Sequence, residues 1–151
     1  PGPPRAGPYG CLLEGSREVS KLRVGFVSPE REIWTGEADM VIAKTVDGEI
    51  GIMPKHAPVI GVLVDGGVVR IKRSGDDDIV AAVHGGFISV ADDDVSILAE
   101  AAELGTEVDV EEARSALQRA LDSIQADQDD KQARIEAQRA RARLRAAGEE
   151  V

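Results

Sequence analysis

From Lys21 to about Ala99 the apolar residues fall on alternate positions in short runs. Leu22, Val24 and Phe26 alternate with Lys21, Arg23 and Gly25, and Val69 and Ile71 alternate with Arg70 and Lys72. A period of two sends one set of side chains to a buried face and the other to solvent, so each run predicts a strand with one face covered. Turn clusters close these runs every 8 to 12 residues or so. They are Ser28-Pro29-Glu30, Asp47-Gly48, Asp65-Gly66-Gly67, Ser74-Gly75-Asp76, His84-Gly85-Gly86 and Asp92-Asp93-Asp94, all rich in residues that accept positive φ or bond their own backbone. Short strands with turns at this spacing predict an antiparallel β-sandwich of two packed sheets.

After Ala99 the period changes. Val110, Ala113, Leu117, Leu121 and Ile124 recur at helical spacing, predicting a helix over 110–126 with Asp109 as its N-cap and Glu112 completing a capping box. The polar break Asp127-Gln128-Asp129-Asp130 precedes a second helix in which Ala133, Ala137, Ala140, Leu144 and Ala147 share a stripe, before Gly148 ends it. The fold class is therefore α+β, with a sandwich over 19–103 and an antiparallel two-helix hairpin over 104–151. Residues 1–18 hold four of the seven prolines and four glycines with neither period. They predict a disordered lead, a remnant or an upstream start, with the native start near Val19.

The second stripe is nearly all alanine, which favours helix but offers little area to bury at about 25 cal/mol per Å². Such a hairpin forms easily and detaches easily. Charge sharpens the picture, because the first helix and its turn carry Asp109, Glu111, Glu112, Asp122, Asp127, Asp129 and Asp130, whereas the second carries Lys131, Arg134, Arg139, Arg141, Arg143 and Arg145. The two helices are complementary. An acidic surface elsewhere is an equal partner for the second, since exposed pairs contribute only about 0 to 1 kcal/mol each, so two positions of this element are expected.

Composition narrows the function classes. One Trp, one Tyr and two Phe leave the core to Val, Ile, Leu and Ala. A net charge of −10 argues against nucleic acid, whose phosphates need a basic surface, and against direct docking on anionic lipid. One cysteine excludes an internal disulfide or a cysteine-rich zinc site. The apolar runs are shorter than the roughly 18 residues that span a bilayer, so membrane association is expected only through a partner. No Walker loop, GxSxG or cysteine–histidine pair is present, and His56, His84 and the acidic runs 76–78 and 92–94 lack metal-ligand spacing. No catalytic residue, metal or cofactor is expected.

Three ordered motifs carry a family resemblance. Gly48-Glu49-Ile50-Gly51-Ile52-Met53-Pro54-Lys55-His56-Ala57-Pro58-Val59, Gly85-Gly86-Phe87-Ile88-Ser89-Val90 and Val95-Ser96-Ile97-Leu98-Ala99-Glu100-Ala101-Ala102-Glu103 resemble the GEIGILPGHAPL, GGFxEV and VxILAxxAE stretches of bacterial F-type ATP synthase epsilon subunits. The resemblance covers residues 21 to 147 or so. It implies a sandwich of about ten strands, at the foot of the rotor against the gamma subunit and the c-ring. With it goes a mobile helical arm that reaches the catalytic alpha and beta subunits when extended and restrains ATP hydrolysis. The complex implied lies at the cytoplasmic face of the cell membrane, with this chain peripheral and itself non-catalytic.

By position, the resemblance implies that Glu49, Lys55 and His56 lie at the contact with the c-ring or gamma, with Lys55 departing from the family's glycine. Arg139, Arg141, Arg143 and Arg145 are implied as the braking face of the arm. Some members bind ATP through an [I/L]DxxRA motif at the head of the first helix together with arginines of the second. Asp109 and Ala113 match that motif, Arg139 and Arg143 stand where the later arginines would, and Glu112 replaces the motif arginine with a carboxylate that repels phosphate. The alternative function is a free-standing β-sandwich binding or adaptor module with a helical oligomerisation tail, against which the scarcity of aromatics for ligand stacking argues.

Overall fold

The computed structural model describes residues 21–150; the disordered lead expected over 1–18 lies outside the described residues. The chain runs through β1 (Leu22–Val27), β2 (Glu32–Ala38), β3 (Met40–Thr45), β4 (Gly48–Ile52), β5 (Val59–Val62), β6 (Asp65–Lys72), β7 (Ile79–His84), β8 (Gly86–Ala91), β9 (Asp94–Ala99) and β10 (Ala102–Leu104). A 3-10 turn, Gly105–Glu107, leads into α1 (Val110–Ala126) and α2 (Lys131–Ala146).

The strands form two five-stranded sheets, ordered β2-β1-β9-β8-β5 and β10-β7-β6-β3-β4. All pairs are antiparallel except β1 with β9. The inward sets predicted by alternation meet between the sheets: Leu22, Val24 and Phe26 from β1, Val69 and Ile71 from β6, and Ile88, Val90, Val95 and Ile97 from β8 and β9 are all buried in one core. That core is aliphatic apart from Phe26 and the partly buried Trp34. Asp92 and Asp93 both hold positive φ, 51° and 65°, in the two-residue turn between β8 and β9, where such a turn matches the twist of the strands it joins.

Three local expectations need correction. Asp65-Gly66-Gly67 is not a turn but the start of β6, with the register slipping between Asp65 and Gly67; the extra residue makes a bulge there. The strand β7 is covered on both faces, because Ala81 and Val83 point into the core while Ala82 is buried beneath α2. Its unbroken apolar run Ile79-Val80-Ala81-Ala82-Val83 is the signature of a strand buried on both sides. Finally, Asp109 caps α1 by accepting from the Glu112 N–H at 3.1 Å, but the Glu112 carboxylate is drawn to Arg143 at 3.0 Å instead of completing the box.

The second helix closes as its sequence predicts. Gly148 holds φ 88°, and the N–H groups of Gly148 and Glu149 donate to the carbonyls of Arg145 and Leu144, satisfying acceptors that the helix end leaves free. Ala133, Ala137, Ala140 and Leu144 of the expected stripe are buried and Ala147 is half-buried, while Ala142 and Ala146 form a second buried line on a neighbouring face.

Candidate functional site

The α2 helix lies over β6 and β7. Ala142 and Ala146, one turn apart, pack with Ala82 and the half-buried Val68 and Val80 in a cluster separate from the core. Small side chains let the helix come close, and two glycines complete the approach. A Cβ at Gly105 would stand 2.0 Å from the Ala146 carbonyl oxygen, and one at Gly66, where φ is 79°, would stand 2.7 Å from Gln138 Cγ. Apolar area is therefore scarce along this seam, and ion pairs flank it.

Arg139 donates from Nε and Nη2 to both oxygens of Asp65 at 2.7 and 2.8 Å. Arg143, only 19% exposed, donates to Glu103 at 2.8 Å and to Glu112 at 3.0 Å, tying α2 to β10 and to α1 at once. The Arg139 guanidinium holds the Asp65 carboxyl below the usual carboxylate range, against the opposing effect of burial. Complementarity between the helices is thus realised chiefly through Glu112, and the other ion pairs of α2 go to the sandwich. Arg141 and Arg145 make no ion pair among the described residues. The sequence motifs did not point to Asp65, Glu103 or His84 as partners of the hairpin, because only the sheet register brings Asp65 opposite His84 and Glu103 opposite Ala82.

The three loop candidates separate. Glu49 sits on the edge strand β4 opposite Lys44, not in the loop, and is exposed. Lys55 and His56 lie beyond the far end of that strand. Lys55 is exposed with φ 70°, which explains why glycine suits this position: it takes the left-handed region without strain. The Lys55 N–H donates to Asp93 at 2.6 Å, fixing the loop to the β8–β9 turn. His56 pairs its Nδ1 with the Ala57 carbonyl at 2.7 Å.

The other sheet offers a different surface. The register aligns Val62 with Phe87, Phe87 with Leu98, and Leu98 with Val27, one apolar row across four strands on the outer face. Phe87 and Leu98 are each 52% exposed, Val62 43%, and Ile60 beside them 76%. Val27, Pro29, Phe87 and Leu98 border a hollow of about 370 Å³. Small residues, Gly25, Ser96 and Ser89, continue the face inward, and Arg23 paired with Asp94 at 2.6 Å closes its far end.

Residues 21–105 match the family described as ATP synthase, Delta/Epsilon chain, beta-sandwich domain. The ATP synthase epsilon chain of Thermobifida fusca (strain YX) is 56% identical over 131 residues, covering 84% of this chain and 92% of the relative. The chain belongs to the ATP synthase epsilon family. The epsilon chain of Mycobacterium avium (strain 104) is 45% identical over 130 residues, 86% of this chain and 98% of that relative. Both matches outrun the sandwich and reach into the hairpin. Among solved structures, a chain of the Euglena gracilis mitochondrial ATP synthase OSCP/F1/c-ring assembly superposes with a TM-score of 0.67 over 95% of this chain and 98% of that one, at 18% identity. A chain of the Tetrahymena thermophila mitochondrial ATP synthase central stalk/c-ring has a TM-score of 0.50 at 21% identity, over 60% of this chain and 72% of that one. At such identities the likeness is one of fold.

Proposed function

We propose that the chain is the epsilon subunit of the central stalk of a proton-translocating ATP synthase, holding gamma to the c-ring through its sandwich and restraining ATP hydrolysis through its hairpin. The observation that carries this reading is the bare row Val62–Phe87–Leu98–Val27 with Ile60, on the sheet away from the hairpin. A contiguous apolar face of this kind marks a surface that another protein covers, and the small residues beside it allow close approach of a partner backbone. The row holds one aromatic, Phe87, too few for a platform that stacks small ligands, so a protein partner, gamma, is the better occupant. Glu49, Lys55 and His56, at the ends of β4 and its following loop, serve the polar contact with the c-ring. No described helix is long and apolar enough to cross a membrane; the proposed place is peripheral, at the cytoplasmic face as part of the complex, with no reaction performed by the chain itself.

The build of the seam supports a hairpin that lets go. Its apolar part is an alanine patch, and its ion pairs are partly solvated. On release, α2 turns its arginines toward the acidic segments of the catalytic alpha and beta subunits. Arg139 and Arg143 divide their service between the docked seam and the released arm, whereas Arg141 and Arg145, without an ion pair among the described residues, belong to the braking face alone. The test is ATP hydrolysis by the reconstituted complex. Deleting residues 105–150 is expected to raise hydrolysis severalfold, and replacing Arg141 and Arg145 with Ala is expected to raise it without disturbing docking. Unchanged hydrolysis at equal occupancy would sink the braking role, and loss of gamma from purified complexes on Phe87→Asp with Leu98→Asp checks the attachment.

ATP is a poor fit to the seam. A cavity of about 400 Å³ there is bordered by His84, Arg119, Glu136, Arg139 and Arg143, yet Arg139 and Arg143 are already bonded to carboxylates, and Asp109 is occupied as a helix cap. Calorimetric titration of the chain with ATP is expected to show no submillimolar binding.

A further inference from the structure

His84 closes β7 on the outer face of its sheet, directly opposite Asp65 in the register, and borders the cavity beneath the hairpin. Its side chain is 13% exposed. Its Nδ1 is buried and finds no hydrogen-bond partner, the nearest carboxylate oxygen, Asp65 Oδ1, standing at 3.8 Å. Both Asp65 oxygens accept instead from Arg139. The charged groups around the imidazole come from four elements: Asp65 of β6, Glu103 of β10, Arg119 of α1, and Glu136, Arg139 and Arg143 of α2. Asp65 and Glu103 are each engaged by an α2 arginine. An additional positive charge at His84 therefore meets the Arg139 and Arg143 guanidiniums across the seam and finds Asp65 and Glu103 already taken.

We propose that His84 is a proton-operated latch for the hairpin: neutral, it fits beneath α2, and on taking up a proton it loosens α2 from the sandwich. The latch rests on the reading of the hairpin as a releasable arm, but it concerns the isolated chain. Burial first, and then the Arg139 guanidinium, push the imidazole below its ordinary value, Asp65 pulling the other way, with Arg143 adding to the depression and Glu103 opposing it. A histidine that binds its proton more weakly when docked makes docking proton-releasing. Docking is at full strength above the undocked value, near ~6.5, and is lost as pH falls through the docked one. Linkage through one proton limits the change in the docked-to-released ratio to about tenfold per pH unit. The Asp65 carboxyl is also held low, by Arg139, and a variant that removes the imidazole alone separates the two groups.

Nuclear magnetic resonance of the full chain tests the latch directly. The chain has two histidines, so the His84 ring signals can be assigned and followed while amide exchange in α2, corrected for intrinsic rates, reports docking. As pH is lowered from about 7.5 to about 5, spanning the ordinary imidazole range, protection of α2 is expected to fall severalfold in step with His84 protonation, while β1 and β9 stay protected. His84→Gln is expected to remove that pH dependence. Protection of α2 that stays level while His84 charges in the unmodified chain overturns the latch, whatever the variant does, and so does an unaltered fall in His84→Gln. Loosening that tracks His84 in the isolated chain, together with hydrolysis by the complex that ignores deletion of the hairpin, upholds the latch and removes the brake.

Discussion

The interior of the sandwich and the seam under the hairpin are built from opposite materials. Between the sheets, Phe26, Leu22, Ile52, Ile71, Ile88 and Ile97 are fully buried and interdigitate; under α2 the buried contacts are Ala82, Ala142 and Ala146, with charges at the margin. Large aliphatic side chains contribute about 1.5 to 3 kcal/mol each when buried, and a methyl group much less. The core thus fixes one arrangement, while the seam gives α2 a position with little to hold it there. Side-chain volume alone tells the two contacts apart.

That contrast can be broken most forcefully from the inside. Phe26→Ala is expected to cost about 3 to 5 kcal/mol and to lower the urea midpoint of the entire chain, sandwich and hairpin together. Gly105→Ala attacks chiefly the seam, since its new methyl would stand 2.0 Å from the Ala146 carbonyl oxygen and 3.3 Å from that of Val80. The expected strain is about 1 to 3 kcal/mol, read as faster amide exchange in α2 with the sandwich transition unmoved. Equal losses in both regions would erase the distinction.

Smaller changes sharpen it. Arg143→Ala strands the half-buried Glu103 and frees the exposed Glu112, and is expected to weaken docking by about 1 to 2 kcal/mol, measured by the same exchange experiment. Arg139→Gln removes a pair that is 45% and 42% exposed, so solvent screening limits its effect to about 0.5 kcal/mol. Because the Asp65 carboxyl is held low, the contribution of this pair is present above the ordinary carboxylate range and is lost as pH falls through the depressed value. In Arg139→Gln that acid loss should vanish. Least of all, Lys55→Gly relieves a left-handed lysine while loosening the unfolded chain, two effects of about 1 kcal/mol that nearly cancel; a thermal midpoint that does not move is the expected result.

Alternation and turn chemistry made the sandwich legible, and the change of period at Ala99 made the hairpin legible, because both patterns are local. What stayed hidden depends on contacts across sequence. The Asp65-Gly66-Gly67 stretch has turn composition, yet it is a bulged strand because α2 needs a surface without side chains at Gly66. Glu112 stands where a capping box would put it, but a half-buried arginine 31 residues on draws it away. The bare row on the other sheet escaped notice for a similar reason: Val62, Phe87 and Leu98 sit in three separate strands and become neighbours only through register. Of the candidates drawn from the family motifs, Arg139 and Arg143 come together at the seam, whereas Glu49 stands apart from Lys55 and His56.

Gly105 begins the 3-10 turn through which the chain leaves the sandwich, and the last turn of α2 comes back to rest against it. Under the proposed release, the hairpin is a clasp whose tongue lands on its own hinge. A reporter attached to the last turn of α2 would lie beside that pivot and hinder the proposed motion, so labels belong at the far tip, around Gln128.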